Sequence, residues 1–298
     1  MITVFLRGGL GNQMFQYAHG VHLARKNNTT LVIDTVYLQD RTPRKNFTYR
    51  NYDLDIFTIT PQFSFLSRLA QKFPAPLLWL SLDMIIIKIN SIAGIQKLLH
   101  EKDEYVNPDA LNMSGNLLTV GYWQSEKYFR ENADDVRNAF QFRIPLEGEA
   151  NRIGEKILAT NSVSLHVRRG DYAADKKVMQ DMGETNITYY QEAARYIAQQ
   201  VSNPIFFIFS DDIEWCRKKI LLPFPVIYVS ASSAGPKGSH HLQLMSLCKH
   251  NIIANSTFSW WGAWLNKNPY KIVIGPQKWY ADNRKEGDDV IPREWIRI

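Results

Sequence analysis

The stretch SVSLHVRRGDY, residues 162–172, reads as a strand that ends in charge. Val163, Leu165 and Val167 alternate with Ser164, His166 and Arg168, the period-two pattern of a strand with one face in a core. Two arginines, a glycine, an aspartate and a tyrosine follow directly. Paired guanidinium groups at the tip of a buried strand need a reason to be there.

The flanking segments supply one. Helical segments 147–159, 188–201, 213–220, 240–249 and 258–266 alternate with strand segments 162–168, 204–212, 224–230, 251–256 and 270–276. Each strand is a near-continuous apolar run, which implies a parallel sheet covered on both faces. Ligands of such sheets bind beyond the carboxyl ends of the strands. Arg168, Arg169 and Asp171 follow one strand. Ser210, Asp211 and Asp212 follow the next, and Asn255, Ser256 and Thr257 follow a third. Three polar clusters are therefore expected around one crevice, and guanidinium forks suit phosphate. Adjacent strand-end arginines point in opposite directions, so one contacts a ligand and a carboxylate braces the other.

The first half opens as a βαβ unit: strand 2–6, glycine turn, helix 12–27, strand 30–34. The turn RGGLGNQMFQYA (7–18) is either a tight turn or a ligand-facing loop, with Gly9, Gly11, Asn12 and Gln13 at the helix start. Gly9, Gly11 and the later Asp34 fit a dinucleotide-binding pattern, but Met14 stands where its third glycine belongs. Residues 35–115 contain apolar helical runs and no clear period. Within them LLWLSLDMIIIKINSI (77–92) holds Asp83 and Lys88. It is too short and too charged to span a bilayer. A buried helix is expected there, an interfacial helix being the alternative. Residues 117–129 read as a strand and then a helix start capped by Ser125. Two α/β domains follow, 1–150 and 151–298.

Of the 298 residues, 45% are apolar and 21% charged, enough for a sizeable core. The net charge of +6 suits an anionic ligand or an acidic membrane surface, without the dense basic footprint of a nucleic-acid binder. Cys216 and Cys248 make no disulfide framework and read as buried thiols of a reducing compartment. The N-terminal segment lacks the pattern of a signal peptide. The expected location is the cytoplasm, with a peripheral place at the inner membrane face allowed by the charge.

Other motifs keep two readings. FSDDIEW (209–215) is a helix N-cap, or a carboxylate that accepts from a base or ribose. In NSTFSWWGAWL (255–265), hydroxyls and amides at a strand-to-helix turn suit phosphate, whereas Trp260, Trp261 and Trp264 read as core. Asp53 and Asp55 form an Asp-x-Asp pair without the preceding apolar strand, so they read as a solvated loop. His240–His241 has neither the spacing nor the third ligand of a metal site.

GGLGNQMFQYA, VGYWQSEKYF, SLHVRRGDY with FIFSDDIEWC, and LMSLCKHNIIANSTFSWWGAWLN closely resemble the bacterial α-1,2-fucosyltransferases of glycosyltransferase family 11. The matches run from residue 8 to beyond 275. The resemblance implies a GT-B fold of two Rossmann-like domains facing across a cleft, the first on the acceptor side. It implies a GDP-fucose donor, a galactose-terminated glycan acceptor, inversion at the sugar carbon, and no cofactor or metal. Related α-1,6- and protein O-fucosyltransferases share the His-x-Arg pattern of His166 and Arg168. By that likeness Arg168 meets the donor diphosphate. Thr257 and Phe258, with Ser256 or Ser259, close around the phosphates, and Asn12 lies near diphosphate and acceptor. His166, Arg169, Asn255, Asp211 and Asp212 complete the donor side. The family usually has an acidic residue three positions before Leu-Met-Ser, where it accepts from guanine N1 and N2. Here that position is His241, which supplies one acceptor at most.

The expected reaction is transfer of L-fucose from GDP-β-L-fucose to the 2-hydroxyl of a terminal β-galactoside, with Arg168 stabilising the leaving diphosphate. Asp171 is the first candidate for the base, or it only orients Arg169 and the diphosphate itself takes the proton. Two alternatives are a nicotinamide-dependent sugar-nucleotide reductase or epimerase, which leaves 162–172 and 251–265 without a role, and a non-catalytic nucleotide- or carbohydrate-binding protein.

Overall fold

In a computed structural model of the chain, residues 1–43, 48–73, 76–101, 106–169, 186–280 and 289–298 are described. The chain divides into two compact units, Met1–Arg143 and Ile144–Ile298. Each is α/β with an all-parallel sheet, in keeping with the expected fold class.

The first unit holds β1 (Ile2–Phe5), β2 (Leu31–Asp34), β3 (Lys97–His100) and β4 (Leu117–Val120), in the order β2-β1-β4-β3. Ile2 and Val4 are fully buried, so β1 is central and reads as an apolar run rather than an alternation. The helix Leu10–Lys26 connects β1 to β2. The chain places β2 on one side of β1 and β4 on the other, so the order reverses between β1 and β4. Two expectations need correction in residues 35–115. Strand β3 was not foreseen: it lies at the sheet edge with Lys97, Leu98 and His100 exposed, and a half-wet edge of four residues leaves no period to read. The apolar stretch at 77–92 is a helix, Pro76–Ile92, but not a buried one. Its Met84 and Ile92 are 58% and 79% exposed, while Asp83 is turned inward at 5%.

The second unit holds β5 (Asn161–Val167), β6 (Pro204–Ser210), β7 (Val226–Tyr228), β8 (His250–Ile252), β9 (Val273–Gly275) and β10 (Ile296–Arg297), ordered β10-β9-β8-β5-β6-β7. Renumbered from β5, this is the 3-2-1-4-5-6 order of a doubly wound nucleotide-binding sheet. Val163, Leu165 and Val167 pack with Tyr190, Ile197, Phe206, Ile208, Ile252 and Ile274 on one side. The opposite face of β5 is buried as well, and its polar groups are paired there. Asn251 Nδ2 donates to Ser164 Oγ at 2.7 Å, and Asn266 Nδ2 donates to Asn251 Oδ1 at 2.7 Å. Unmet, such groups would cost about 1–3 kcal/mol each. Trp260, Trp261 and Trp264 are core, as their helical spacing suggests. Among the described residues, no helix is long and apolar enough to cross a membrane.

Candidate functional site

In the second unit, the strand order reverses between β5 and β8. The parallel register pairs Val167 with Ser210, so the residues that leave β5 and β6 emerge side by side. Asp211 uses both carboxylate oxygens there. Oδ2 lies 2.7 Å from Arg168 Nη1, and Oδ1 accepts from the Arg169 amide at 2.9 Å. Arg169 turns the other way, its guanidinium 4.0 Å above the Trp215 ring and its Nε 3.6 Å from Asp212 Oδ2. Asp212 also caps the helix Ile213–Lys219, accepting from the Trp215 amide at 3.1 Å. The two aspartates thus divide the work: Asp211 sets Arg168, and Asp212 starts a helix and meets Arg169. Asp171 lies outside the described residues.

On β5, two residues before Arg168, His166 is buried, and its Nδ1 has no hydrogen-bond partner among the described residues. Burial pushes its pKa down to about 3, with Asp211 opposing, so the ring is a neutral imidazole at pH 7. Its ring centre lies 5.8 Å from that of Phe258. Phe258 sits in the first turn of the helix Thr257–Leu265, which starts after β8 with Ser256 as N-cap. The first-turn amides of a helix have no intrahelical carbonyl and favour an anion. Ser259 Oγ donates back to the Ser256 carbonyl at 3.2 Å, and buried Asn255 reaches the Trp279 carbonyl at 3.5 Å. Both edges of the β5/β8 switch point therefore offer positive potential: an oriented arginine from one, a helix N-terminus from the other.

His241 lies in the helix Ser239–Leu247, with its ring 5.4 Å from Phe209. Its Nε2 is 3.0 Å from the Ser230 carbonyl, so Nε2 carries the proton and Nδ1 is left as the acceptor. Burial lowers its pKa. The same helix begins with groups to which the sequence assigned no ligand role. Ser239 Oγ, His240 Nε2 and Gln243 Oε1 are buried atoms without a hydrogen-bond partner among the described residues. Gly238 before them has φ +76°, and a Cβ there would lie 3.3 Å from the Phe258 ring. The GPKG turn at 235–238 was the available signal.

In the first unit the glycine loop occupies the corresponding place, where the order reverses between β1 and β4. Gly9 is the N-cap of the helix Leu10–Lys26, and Gly11 is buried in its first turn. Asn12 Oδ1 accepts from Gln124 Nε2 at 2.9 Å, across from the end of β4. Gln13 is wholly buried and serves the loop itself: Nε2 donates to the Gly8 and Asn51 carbonyls, and Oε1 accepts from the Asp53 amide. Glu101 was missed. It accepts from the amides of Tyr122 and Trp123 at 2.5 and 3.0 Å, and burial raises its pKa. This holds Trp123 at φ +56°, a costly conformation for a bulky residue, just before Gln124. Asp34 does not meet a ribose as the dinucleotide pattern would have it. It accepts from Ser64 Oγ at 2.6 Å and from the Val36 amide at 2.9 Å. Among the described residues, no three His, Cys, Asp or Glu side chains are grouped to hold a metal ion.

Two parallel-sheet units, each with polar groups at its switch point, make a two-domain Rossmann-like architecture. The profile of glycosyl transferase family 11 matches residues 1–298, and the chain belongs to that family. It is 33% identical to an alpha-1,2-colitosyltransferase of Escherichia coli over 100% of this chain and 99% of that one. It is 34% identical to the O-antigen biosynthesis glycosyltransferase WbnK of Escherichia coli, over 98% and 99%. A galactoside 2-alpha-L-fucosyltransferase, Sec1 of Mus musculus, is 22% identical over 94% of this chain and 72% of its own. The crystal structure of NodZ alpha-1,6-fucosyltransferase soaked with GDP-fucose has the same fold, with TM-score 0.52, 17% identity and 96% of each chain covered. Family membership removes the nicotinamide-dependent alternative.

Proposed function

We propose that the protein transfers L-fucose from GDP-β-L-fucose to the 2-hydroxyl of a terminal β-galactoside, with inversion. The observation behind this is the meeting, at the β5/β8 switch point, of Arg168 held by Asp211 and the N-terminus of the helix Thr257–Leu265. A diphosphate leaving group accumulates negative charge as the sugar bond breaks. A guanidinium fork and helix amides stabilise that charge without a metal, and removing one such donor typically costs roughly 10²–10³ in rate. In this reading His166, Arg168, Asn255, Ser256, Thr257, Phe258 and Ser259 surround the donor, and His241 accepts from one guanine donor. Asp211 orients Arg168, and Asp212 meets Arg169. Asn12, held by Gln124, serves the reacting end, and acceptor contacts come from the first unit. Asp171 is the proposed base.

A second reading is supported by the 33% identical colitosyltransferase: the donor sugar is colitose, which lacks the 3-hydroxyl of fucose. The test is GDP release with GDP-fucose and with GDP-colitose, each against lactose, N-acetyllactosamine and Gal-β1,3-GalNAc, with product linkage by NMR. We expect an α-1,2-fucosylated product that forms equally well in EDTA. Turnover with GDP-colitose alone replaces the donor sugar. Loss of turnover in chelator, restored by manganese or magnesium, overturns the metal-free mechanism.

A further inference from the structure

The helix Pro76–Ile92 presents the wrong face to water. Leu78, Met84, Ile85, Ile89 and Ile92 recur at helical spacing and are 54%, 58%, 52%, 56% and 79% exposed, whereas its only carboxylate, Asp83, points inward. The helix Phe65–Lys72 and strand β3 pack against it and extend the patch with exposed Phe65 and Leu98. Proteins that stay monomeric in water rarely leave so large an apolar surface uncovered.

The charges around the patch indicate what covers it. Residues 57–100 contain Arg68, Lys72, Lys88 and Lys97, all exposed, and Asp83 as their one acidic residue. A two-fold self-contact through the helix Phe65–Lys72, the helix Pro76–Ile92 and β3 would set these four cations against the same four on the second copy, and those three elements carry no exposed acid to offset them. An anionic surface has no such conflict. The helix has 17 residues, about 26 Å at the usual rise, which suits lying along an interface rather than crossing it.

We propose that this face seats the protein on an anionic lipid bilayer. The helix Pro76–Ile92 lies in the plane of the headgroups with Met84, Ile85, Ile89 and Ile92 among the acyl chains, and Arg68, Lys72, Lys88 and Lys97 meet lipid phosphates.

The test is co-sedimentation of the full chain with vesicles of phosphatidylcholine alone or with about 30% phosphatidylglycerol, at low and high salt. We expect binding to the anionic vesicles, weakened by salt. Ile85→Glu/Ile89→Glu should lower partitioning at least about tenfold, and Lys72→Gln or Lys88→Gln about fivefold each. Far-UV circular dichroism checks that each variant is folded. If the double glutamate variant does not fold, the lysine variants and the salt series decide alone. A wild-type chain left in the supernatant with anionic vesicles at low salt overturns the proposal, as does vesicle binding that folded variants do not reduce. A wild-type dimer in light scattering that Ile85→Glu/Ile89→Glu converts to monomer assigns the face to a second copy and also overturns it.

Discussion

Arg168 is set by one carboxylate, and its fork matters beyond its charge. Arg168→Lys keeps the charge but loses the planar pair of donors, so turnover should fall at least about tenfold with thermal stability little changed. Near-normal turnover of a folded Arg168→Lys or Arg168→Ala protein removes Arg168 from the mechanism. The sequence placed both arginines at the strand tip, and register shows why: Val167 beside Ser210 brings Asp211 alongside. It could not divide Asp211 from Asp212, because cap and ion partner look alike in a two-residue acidic run. His241 is the sharper case. Its Nε2 proton goes to the Ser230 carbonyl, so only Nδ1 remains for guanine. His241→Asp loses that internal bond and turns an oxygen toward a carbonyl, which should lower the melting temperature of the free protein. Guanine N1 and N2 would then meet two acceptors, charge-assisted bonds of roughly 1.5–3 kcal/mol each. Calorimetry should show tighter GDP binding together with the lower melting point. Unchanged GDP affinity would mean that residue 241 does not face the base.

At the scale of elements, the glycine loop gives a controlled comparison. Gly8 has φ +78°, and a Cβ there would fall 2.6 Å from Asn12 Nδ2. Gly115 has φ +101° with nothing within 4 Å of a Cβ. Alanine at either position pays backbone strain of about 1–3 kcal/mol. Only Gly8→Ala also pushes Asn12 off Gln124, so it alone should cost turnover, at least about tenfold if Asn12 serves the reacting end. Equal turnover in the two alanine variants would deny the loop a role beyond folding. Loop and β5 were legible because glycines, a polar helix start and a buried strand each leave a local mark. The helix Pro76–Ile92 was misread for a physical reason. Composition alone says that an apolar run is buried, and here the inward residue is Asp83 while isoleucines face out. Strand β3 was invisible because an edge strand beside that helix needs no alternation.

Across the whole molecule, the buried titratable groups sort by unit, and so should the response to acid. In the second unit burial lowers the pKa of His166, to about 3, of His241, and of His250, where Lys249 adds to it. A histidine held neutral stabilises fully above its unfolded pKa of about 6.5, and this is lost as pH falls below it, because only the unfolded chain takes the proton. In the first unit burial raises the pKa of Asp34 and Glu101, and burial with Asp34 nearby raises Asp83 to about 7. Those carboxyls keep a proton that the unfolded chain releases, so above the unfolded carboxylate range falling pH favours the folded state, for Asp83 up to about pH 7. His19, lowered to about 3 by burial, opposes them in part. Each proton of difference changes stability by about 1.4 kcal/mol per pH unit, so three lowered histidines, with no raised carboxyl opposing them among the described residues of that unit, give the steeper slope. Hydrogen exchange at pH 7 and pH 5, corrected for intrinsic rates, should show amides of β5 and β6 losing more protection than those of β1 and β4. Asp83→Asn isolates one group: it should stabilise the protein more at pH 8, where the native aspartate is ionised and buried, than at pH 5, where it already carries a proton. Equal losses in both sheets, or an Asp83→Asn effect independent of pH, would mean that these groups are more hydrated than their surroundings suggest.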